Sequence, residues 1–478
     1  MEEEYDRGNE HAKPGVMAYG AVIMAHSRTA GRRKHGRRNS KITQNEAFLA
    51  EKVLFRLNHR NRKIKAQATD EAKDEIELMS LLKERVVYPD INMYNGIIDC
   101  WARQVGTGKT IKKDLQNAFK AESWLMLLLN CVDSKACESI TDDDLNDYVH
   151  DDISDSESNK KLMIPSIISS GIIPDIVSFN SVINAYARIQ DSRAAALKVD
   201  HLFELMENYS LEPTSVTYGS VIKSWGYTNS TEGAENASKY LERYENVVRT
   251  GSIQPNVITY NATLNAWANC KRNDAIQKMY SIIQRMERVP RKNESNYTEN
   301  EVALVPPDIV SYNTLLKACM SHENKHEAFQ LTLDIFFNKI MLKPGEKSFS
   351  PSIEPDGNTY ATILNCIKNC VETKNRSEKN YFELCRNVFE SCCHHGLVDK
   401  YVLSILRSAL PGQDEFNSLV YGNADPSNSD IPRAWERNAK RSRSSDISFG
   451  RSLNGPASKL AAYHSKEKKL STRSRMTR

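Results

Sequence analysis

Pro174-Asp175-Ile176-Val177-Ser178-Phe179-Asn180, Pro255-Asn256-Val257-Ile258-Thr259-Tyr260-Asn261 and Pro307-Asp308-Ile309-Val310-Ser311-Tyr312-Asn313 are one heptapeptide written three times. Looser copies bring the pattern of a proline five residues before an aromatic to seven: Pro14/Tyr19, Pro89/Tyr94, Pro174/Phe179, Pro213/Tyr218, Pro255/Tyr260, Pro307/Tyr312 and Pro355/Tyr360. A chain with 16 prolines does not do this by chance, so the recurrence is an internal repeat. Proline stops a preceding helix from running on. The residue after it is Asp90, Asp175, Thr214, Asn256, Asp308 or Asp356, with Gly15 in the first copy. A short polar side chain there accepts from the free N–H groups of a first helical turn, so each copy opens a helix.

The aromatic leads a buried face. Three and four residues on come Val22/Ile23, Ile97/Ile98, Val182/Ile183, Val221/Ile222, Leu315/Leu316 and Ile363/Leu364, with Thr263/Leu264 the one compromise. One turn further stand Trp101, Tyr186, Trp225, Trp267, Cys319 and Ile367, and only His26 breaks the series. This is the i, i+3, i+4, i+7 stripe of an amphipathic helix. A second amphipathic segment follows, as at Asn117–Leu129, Ala194–Met206, Asn273–Arg288, Glu327–Ile340 and Tyr381–Cys393. A lone helical hairpin leaves an apolar face in water, so the units must stack, and the fold class expected is all-α, an α-solenoid.

Successive aromatics are 75, 85, 39, 42, 52 and 48 residues apart, so the longer units carry insertions that leave as loops. The expected organisation is a short acidic segment at 1–12, then an array over 13–410. Its units lie near 16–90, 91–175, 176–214, 215–256, 257–308, 309–356 and 357–399, with a partial cap at 400–410. Insertions are expected near 28–44, 104–116, 131–162, 291–306 and 343–354, where charged and Ser/Asn/Asp-rich composition predicts solvated or disordered chain. Charge is segregated accordingly. Residues 433–478 hold 13 Lys/Arg against 3 Asp/Glu, whereas Asp133–Glu157 holds 10 acidic residues and one lysine. From 423 to 478 a basic disordered tail is expected.

Composition excludes several classes. The 478 residues exceed one compact core, yet a hydrophobic share of 40% is too high for disorder throughout. No apolar run reaches the length of a membrane-spanning helix. Ten cysteines without paired motif spacing read as reduced thiols inside a cell, not as a secreted disulfide framework. The net charge of +4 is too small to define a polyanion-binding surface, which has to come from local placement.

The quoted heptapeptides and their seven-fold recurrence resemble the pentatricopeptide repeat family, over roughly residues 13–410. A tetratricopeptide array would show Trp and Leu-Gly early in its first helix, and no unit does. Two departures stand out: every unit exceeds the family's usual repeat length, and Gly396-Leu397-Val398-Asp399 replaces a Pro-Asp ending after the seventh. Lys13-Pro14-Gly15 looks like the end of an upstream repeat, as in a truncated gene model or an array without a cap.

The resemblance implies a right-handed superhelix that binds single-stranded RNA at about one base per repeat, with no catalysis and no cofactor or metal. It implies that the residue after each aromatic reads a base edge together with the residue ending the unit. The base-reading set is then Asn95 with Asp175, Asn180 with Thr214, Gly219 with Asn256, Asn261 with Asp308, and Asn313 with Asp356. Asn/Asp combinations favour uridine in the family; Asn180 with Thr214 leans to a pyrimidine, and Gly219 with Asn256 is unassigned. Gly20, Gly219 and Ala361 are too small to read anything. Met17, Val177, Val216, Ile258 and Val310 are the expected base-stacking wedges, with Asn92 and Asn358 in those places in two other units. An amide offers the donor and acceptor that a pyrimidine edge requires. The aromatics themselves lead the buried stripe and belong to the hairpin core.

The expected function is RNA processing, stability or translation in a mitochondrion or plastid, as a monomer, with other ribonucleoprotein components as further partners and no membrane. Met1-Glu2-Glu3-Glu4 is acidic where a transit peptide is Arg-rich, so a cytosolic chain stays open. The competing reading is a protein-interaction scaffold that uses the same concave face. Two motifs are set aside. Gly106-Thr107-Gly108-Lys109-Thr110 lacks the first glycine and the preceding strand of a phosphate loop. Cys366, Cys370 and Cys392-Cys393-His394-His395 lack four converging zinc ligands.

Overall fold

The computed structural model describes residues 9–30, 45–106, 110–133, 172–287, 305–341, 353–422 and 432–439, with Glu2, Glu4 and Arg7. The described residues are helices and their connections, in two compact units, 1–306 and 307–478. The first unit holds α1 (Val16–Thr29), α2 (Asn45–Glu71), α3 (Glu75–Arg85), α4 (Ile91–Gln104), α5 (Ile111–Asp133), α6 (Ile176–Tyr186), α7 (Arg193–Asn208), α8 (Ser215–Gly226), α9 (Thr231–Arg249), α10 (Val257–Asn269) and α11 (Ala275–Glu287). The second holds α12 (Ile309–Ser321), α13 (Lys325–Ile335), α14 (Gly357–Cys370), α15 (Lys379–His395), α16 (Lys400–Ala409), α17 (Gln413–Val420) and α18 (Arg433–Glu436). Each unit is a stack of helical hairpins, the α-solenoid architecture expected.

The seven prolines sit before α1, α4, α6, α8, α10, α12 and α14, the first helices of successive hairpins. Asp90, Asp175, Thr214, Asp308 and Asp356 each accept from the backbone N–H three residues on, and at Asp175, Thr214, Asp308 and Asp356 a Ser or Thr hydroxyl completes a capping box. Asn256 differs and accepts from Ile258 N instead. Such caps are worth roughly 0.5–2 kcal/mol each. The aromatics are 0–6% exposed, and the aliphatic pairs of α4, α6, α8, α12 and α14 are fully buried. Each such side chain contributes roughly 1.5–3 kcal/mol by leaving water.

A polar latch joins successive hairpins of the first unit. The aromatic at the end of each stripe donates to the second helix of the preceding hairpin: Trp101 Nε1 to Glu51 (2.7 Å), Tyr186 OH to Glu122 (2.5 Å), Trp225 Nε1 to Asp200 (2.7 Å) and Trp267 Nε1 to Ser238 (2.8 Å). Glu51 also accepts from Trp124 Nε1 at 2.8 Å. The second helices are tied by Arg193–Glu232, Arg243–Glu207 and Arg285–Glu245 ion pairs, and Arg272, just before α11, pairs with Glu235. Asp191, Asn229 and Lys271, in the turn between the helices of three consecutive hairpins, all take positive φ near +50°, which lets the chain reverse without glycine.

Several expectations change. Val22 is 46% exposed while Ile23 is fully buried, because α1 packs mainly on α2 and α4. The unit at 16–90 has three helices, since α3 follows the long α2. α5 begins at Ile111, six residues earlier than Asn117, so helix takes over half of the insertion expected at 104–116. The partial cap at 400–410 is α16, and α17 extends it. The tail expected to be disordered from 423 contains a placed element: α18 packs Trp435 edge-on against Phe389, and Trp435 O accepts from Val398 N at 2.8 Å. Asn438 N donates to Gly396 O. Gly396 ends α15 at φ +68°, and a Cβ there would lie 2.5 Å from Arg437 Cγ, so glycine is required. The insertions at 28–44, 131–162, 291–306 and 343–354, and the tail beyond 439, lie wholly or mostly outside the described residues.

Candidate nucleic-acid interface

Period 3.6 places the residue two before each aromatic opposite the buried stripe. Met17, Val177, Val216, Ile258 and Val310 are 84%, 56%, 61%, 53% and 49% exposed. Asn92 and Asn358, at the same register, are exposed as well. The first helices thus carry one open side chain per hairpin, apolar in five of seven.

Beside this row lies the amide row. Asn95 is 8% exposed. Its Nδ2 donates to Asp175 Oδ1 at 3.0 Å and its Oδ1 accepts from Ser178 Oγ at 2.5 Å. Of the residue pairs expected, this one is brought together directly. Asn180 does not meet Thr214; Thr217 Oγ1 stands between them, 2.7 Å from Asn180 Oδ1 and 3.0 Å from Thr214 Oγ1. Asn313 and Asp356 are not joined either. The Asp356 carboxylate is held by Thr359 N, Thr359 Oγ1 and Asn358 Nδ2, and Asn313 Oδ1 is buried without a partner. Asn261 and Asp308 belong to different units, each at its expected helical position, with Asp308 in a capping box. Gly219 is half-buried and Asn256 caps α10.

Sequence reasoning missed the hydroxyl. Ser178, Thr217, Thr259, Ser311 and Thr359 each stand one residue before the aromatic, a periodic signal present in five of seven copies. They face residue 95, 180 or 219 of the preceding hairpin in unit 1. In the first copies the register holds with other chemistry: a Cβ built at Gly20 would lie 3.9 Å from Met93 Cγ.

A line of cations was missed too. Arg103, Arg188 and Lys223 lie late in consecutive first helices or just after them. Burial pushes the Arg188 guanidinium down, with Arg103 adding repulsion; burial likewise pushes down Lys223, with Arg188 adding to it. Asp99 partly compensates through a 2.5 Å pair with Arg103. Arg188 thus lies close enough to both Arg103 and Lys223 for mutual repulsion. The remaining candidates carry less. Burial pushes the Cys100 and Cys319 thiols up to about 12 and Cys385 to about 11, which suppresses thiolate formation. Among the described residues no His/Cys/Asp/Glu group is placed to hold a metal ion, and no helix is long and apolar enough to cross a membrane.

Residues 166–228 match the pentatricopeptide repeat domain family model. No curated protein matches the sequence. The crystal structure of the pentatricopeptide repeat protein PPR10 from maize is similar at 14% identity and TM-score 0.28, over 95% of this chain and 61% of that one. PPR10 in complex with an 18-nt psaJ RNA element is similar at 16% identity and TM-score 0.21, over 92% of this chain and 71% of that one. The chain therefore spans about three fifths of the length of the first of these. The matched segment covers α6 to α8 and their capped Pro-Asp and Pro-Thr entries, and the same hairpin recurs on either side of it. Residues 166–228 of this chain are thus similar to the pentatricopeptide repeat domain, within a longer series of like hairpins.

Proposed function

We propose that the open face of the first helices binds single-stranded RNA, about one nucleotide per hairpin, without catalysis. The observation that carries this reading is the apolar row, 49–84% exposed at one register in five hairpins. Scattered exposed apolar residues are ordinary, but a register-locked row is not scattered. Splayed bases supply flat apolar faces that such side chains sandwich, and the amides beside the row supply the edge contacts. Arg103, Arg188 and Lys223 supply charge for the phosphates.

Uridine is the base that the family resemblance implies at Asn95, and the geometry there is compatible with it. With one amide N–H held by Asp175 and one oxygen lone pair by Ser178, a donor and an acceptor remain. A uracil edge offers the complementary acceptor and donor. We infer, by analogy with the family, that the target is an organelle transcript, where covering or remodelling a site would influence processing, stability or translation.

Nuclease protection tests this with end-labelled uridine-rich and scrambled oligonucleotides. A discrete protected stretch on the uridine-rich strand, lost at high salt, is expected. Equal behaviour of both strands would favour a surface that holds a peptide instead.

A further inference from the structure

The hydroxyl row and the amide row are two halves of one device, and one hairpin carries only half. In the first unit Ser178 donates to Asn95 Oδ1 and Thr217 to Asn180 Oδ1, each from the start of the next first helix. Where the hydroxyl is missing, at Met93, the facing residue is Gly20, which has no amide to hold. Thr259 is the exception. It is 1% exposed, and its Oγ1 is buried with no hydrogen-bond partner. Its capping role is gone because Asn256 caps Ile258 N, and the residue it faces is Gly219. A Cβ built at 219 would lie 3.7 Å from that hydroxyl, an ordinary contact, so there is room for a side chain. A buried hydroxyl without a partner is costly and rare.

We propose that Ser178 and Thr217 are positioning residues which aim the Asn95 and Asn180 amides at RNA bases, and that Thr259 is the same anchor standing vacant, so the hairpin of α8 and α9 passes its nucleotide unread. The proposal rests on the RNA-binding reading above. It adds which groups fix amide orientation and which hairpin is silent. An amide whose oxygen is pinned keeps its N–H groups facing one way, whereas an unpinned amide flips and accepts several bases. The hydroxyl thereby sets selectivity while the wedges set affinity.

The experiment uses the full chain and oligonucleotides varied one position at a time. Thr217→Val is expected to lower discrimination at the Asn180 nucleotide about five- to tenfold, the value of one hydrogen bond, with Thr217→Ser restoring it. Thr259→Val should change discrimination nowhere. Gly219→Asn should create new discrimination of similar size at its own nucleotide, and that gain should vanish in Gly219→Asn/Thr259→Val. A gain that survives loss of the hydroxyl, or no gain with Thr259 present, would overturn the proposal. The same four proteins read the geometry without RNA, as a thermal-stability cycle. Favourable coupling between Asn at 219 and Thr259 is expected, and zero coupling contradicts the inference even where RNA binds. Coupling in a chain that binds no RNA would sink the functional reading, and with it the claim on bases, while leaving the anchor itself standing.

Discussion

The two faces of the first helices obey different rules. The buried face is nearly invariant from hairpin to hairpin: an aromatic, an aliphatic pair, then in the first unit from α4 onward a Trp or Tyr latched to the preceding second helix. The open face varies. Its wedge is Met, Val, Ile or Asn, and its reading position is Asn, Gly or Ala. Stacking demands the same shape at every step because each hairpin covers its neighbour, whereas a ligand that changes along its length demands different side chains at each step. On the proposed reading, stability and selectivity are carried by residues one or two positions apart on the same helix.

Breaking the buried face should cost most. Glu51→Leu removes the acceptor of two buried indole N–H groups, and a loss of about 2–4 kcal/mol in urea unfolding is expected. A loss below about 0.5 kcal/mol would show that the latch does not matter. Tyr186→Phe is gentler because Glu122 keeps Lys198 at 2.9 Å, and about 1 kcal/mol is expected by the same assay.

Asp200 sharpens the comparison through pH. Burial raises its carboxyl, against the Trp225 N–H that lowers it. A carboxyl whose folded value lies above its unfolded one binds a proton more tightly when folded. Its contribution is therefore greatest below the ordinary carboxylate value and is lost as pH rises through the raised one. Asp200→Asn keeps an acceptor for Trp225 and cannot ionise, so urea midpoints taken across this window should fall for the wild type and stay flatter for the variant. Parallel curves would contradict the assignment.

The smallest structural effect belongs to the open face. Val216→Ser should alter stability by no more than about 0.5 kcal/mol while weakening RNA binding severalfold. A large thermal shift without a change in binding would reverse the roles given to the two faces.

Much of the buried face was legible because it is local. Prolines, caps and the 3.6-residue stripe lie within one helix, so Pro174 to Tyr186 could be read without knowing its neighbours. The latches were not, since Glu51 and Trp101 are 50 residues apart and only stacking brings them together. The open face was half legible. The family resemblance marked Val177, Val216 and Ile258 and paired Asn180 with Thr214, and the structure places Thr217 between that pair. Thr217 interposes because the capping box aims its hydroxyl outward along the stack. Val22 misled for a simple reason: a stripe shows which residues need covering, not whether a neighbour covers them.

Fluorescence anisotropy of the wild type and of Asn180→Ala/Asn261→Ala/Asn313→Ala, each with uridine-rich and scrambled strands, tests the central claim. The account predicts a clear uridine preference in the wild type, its loss in the triple variant, and a stability loss of no more than about 1.5 kcal/mol, the value of the Thr217–Asn180 hydrogen bond. Equal affinity for both strands in both proteins would contradict it.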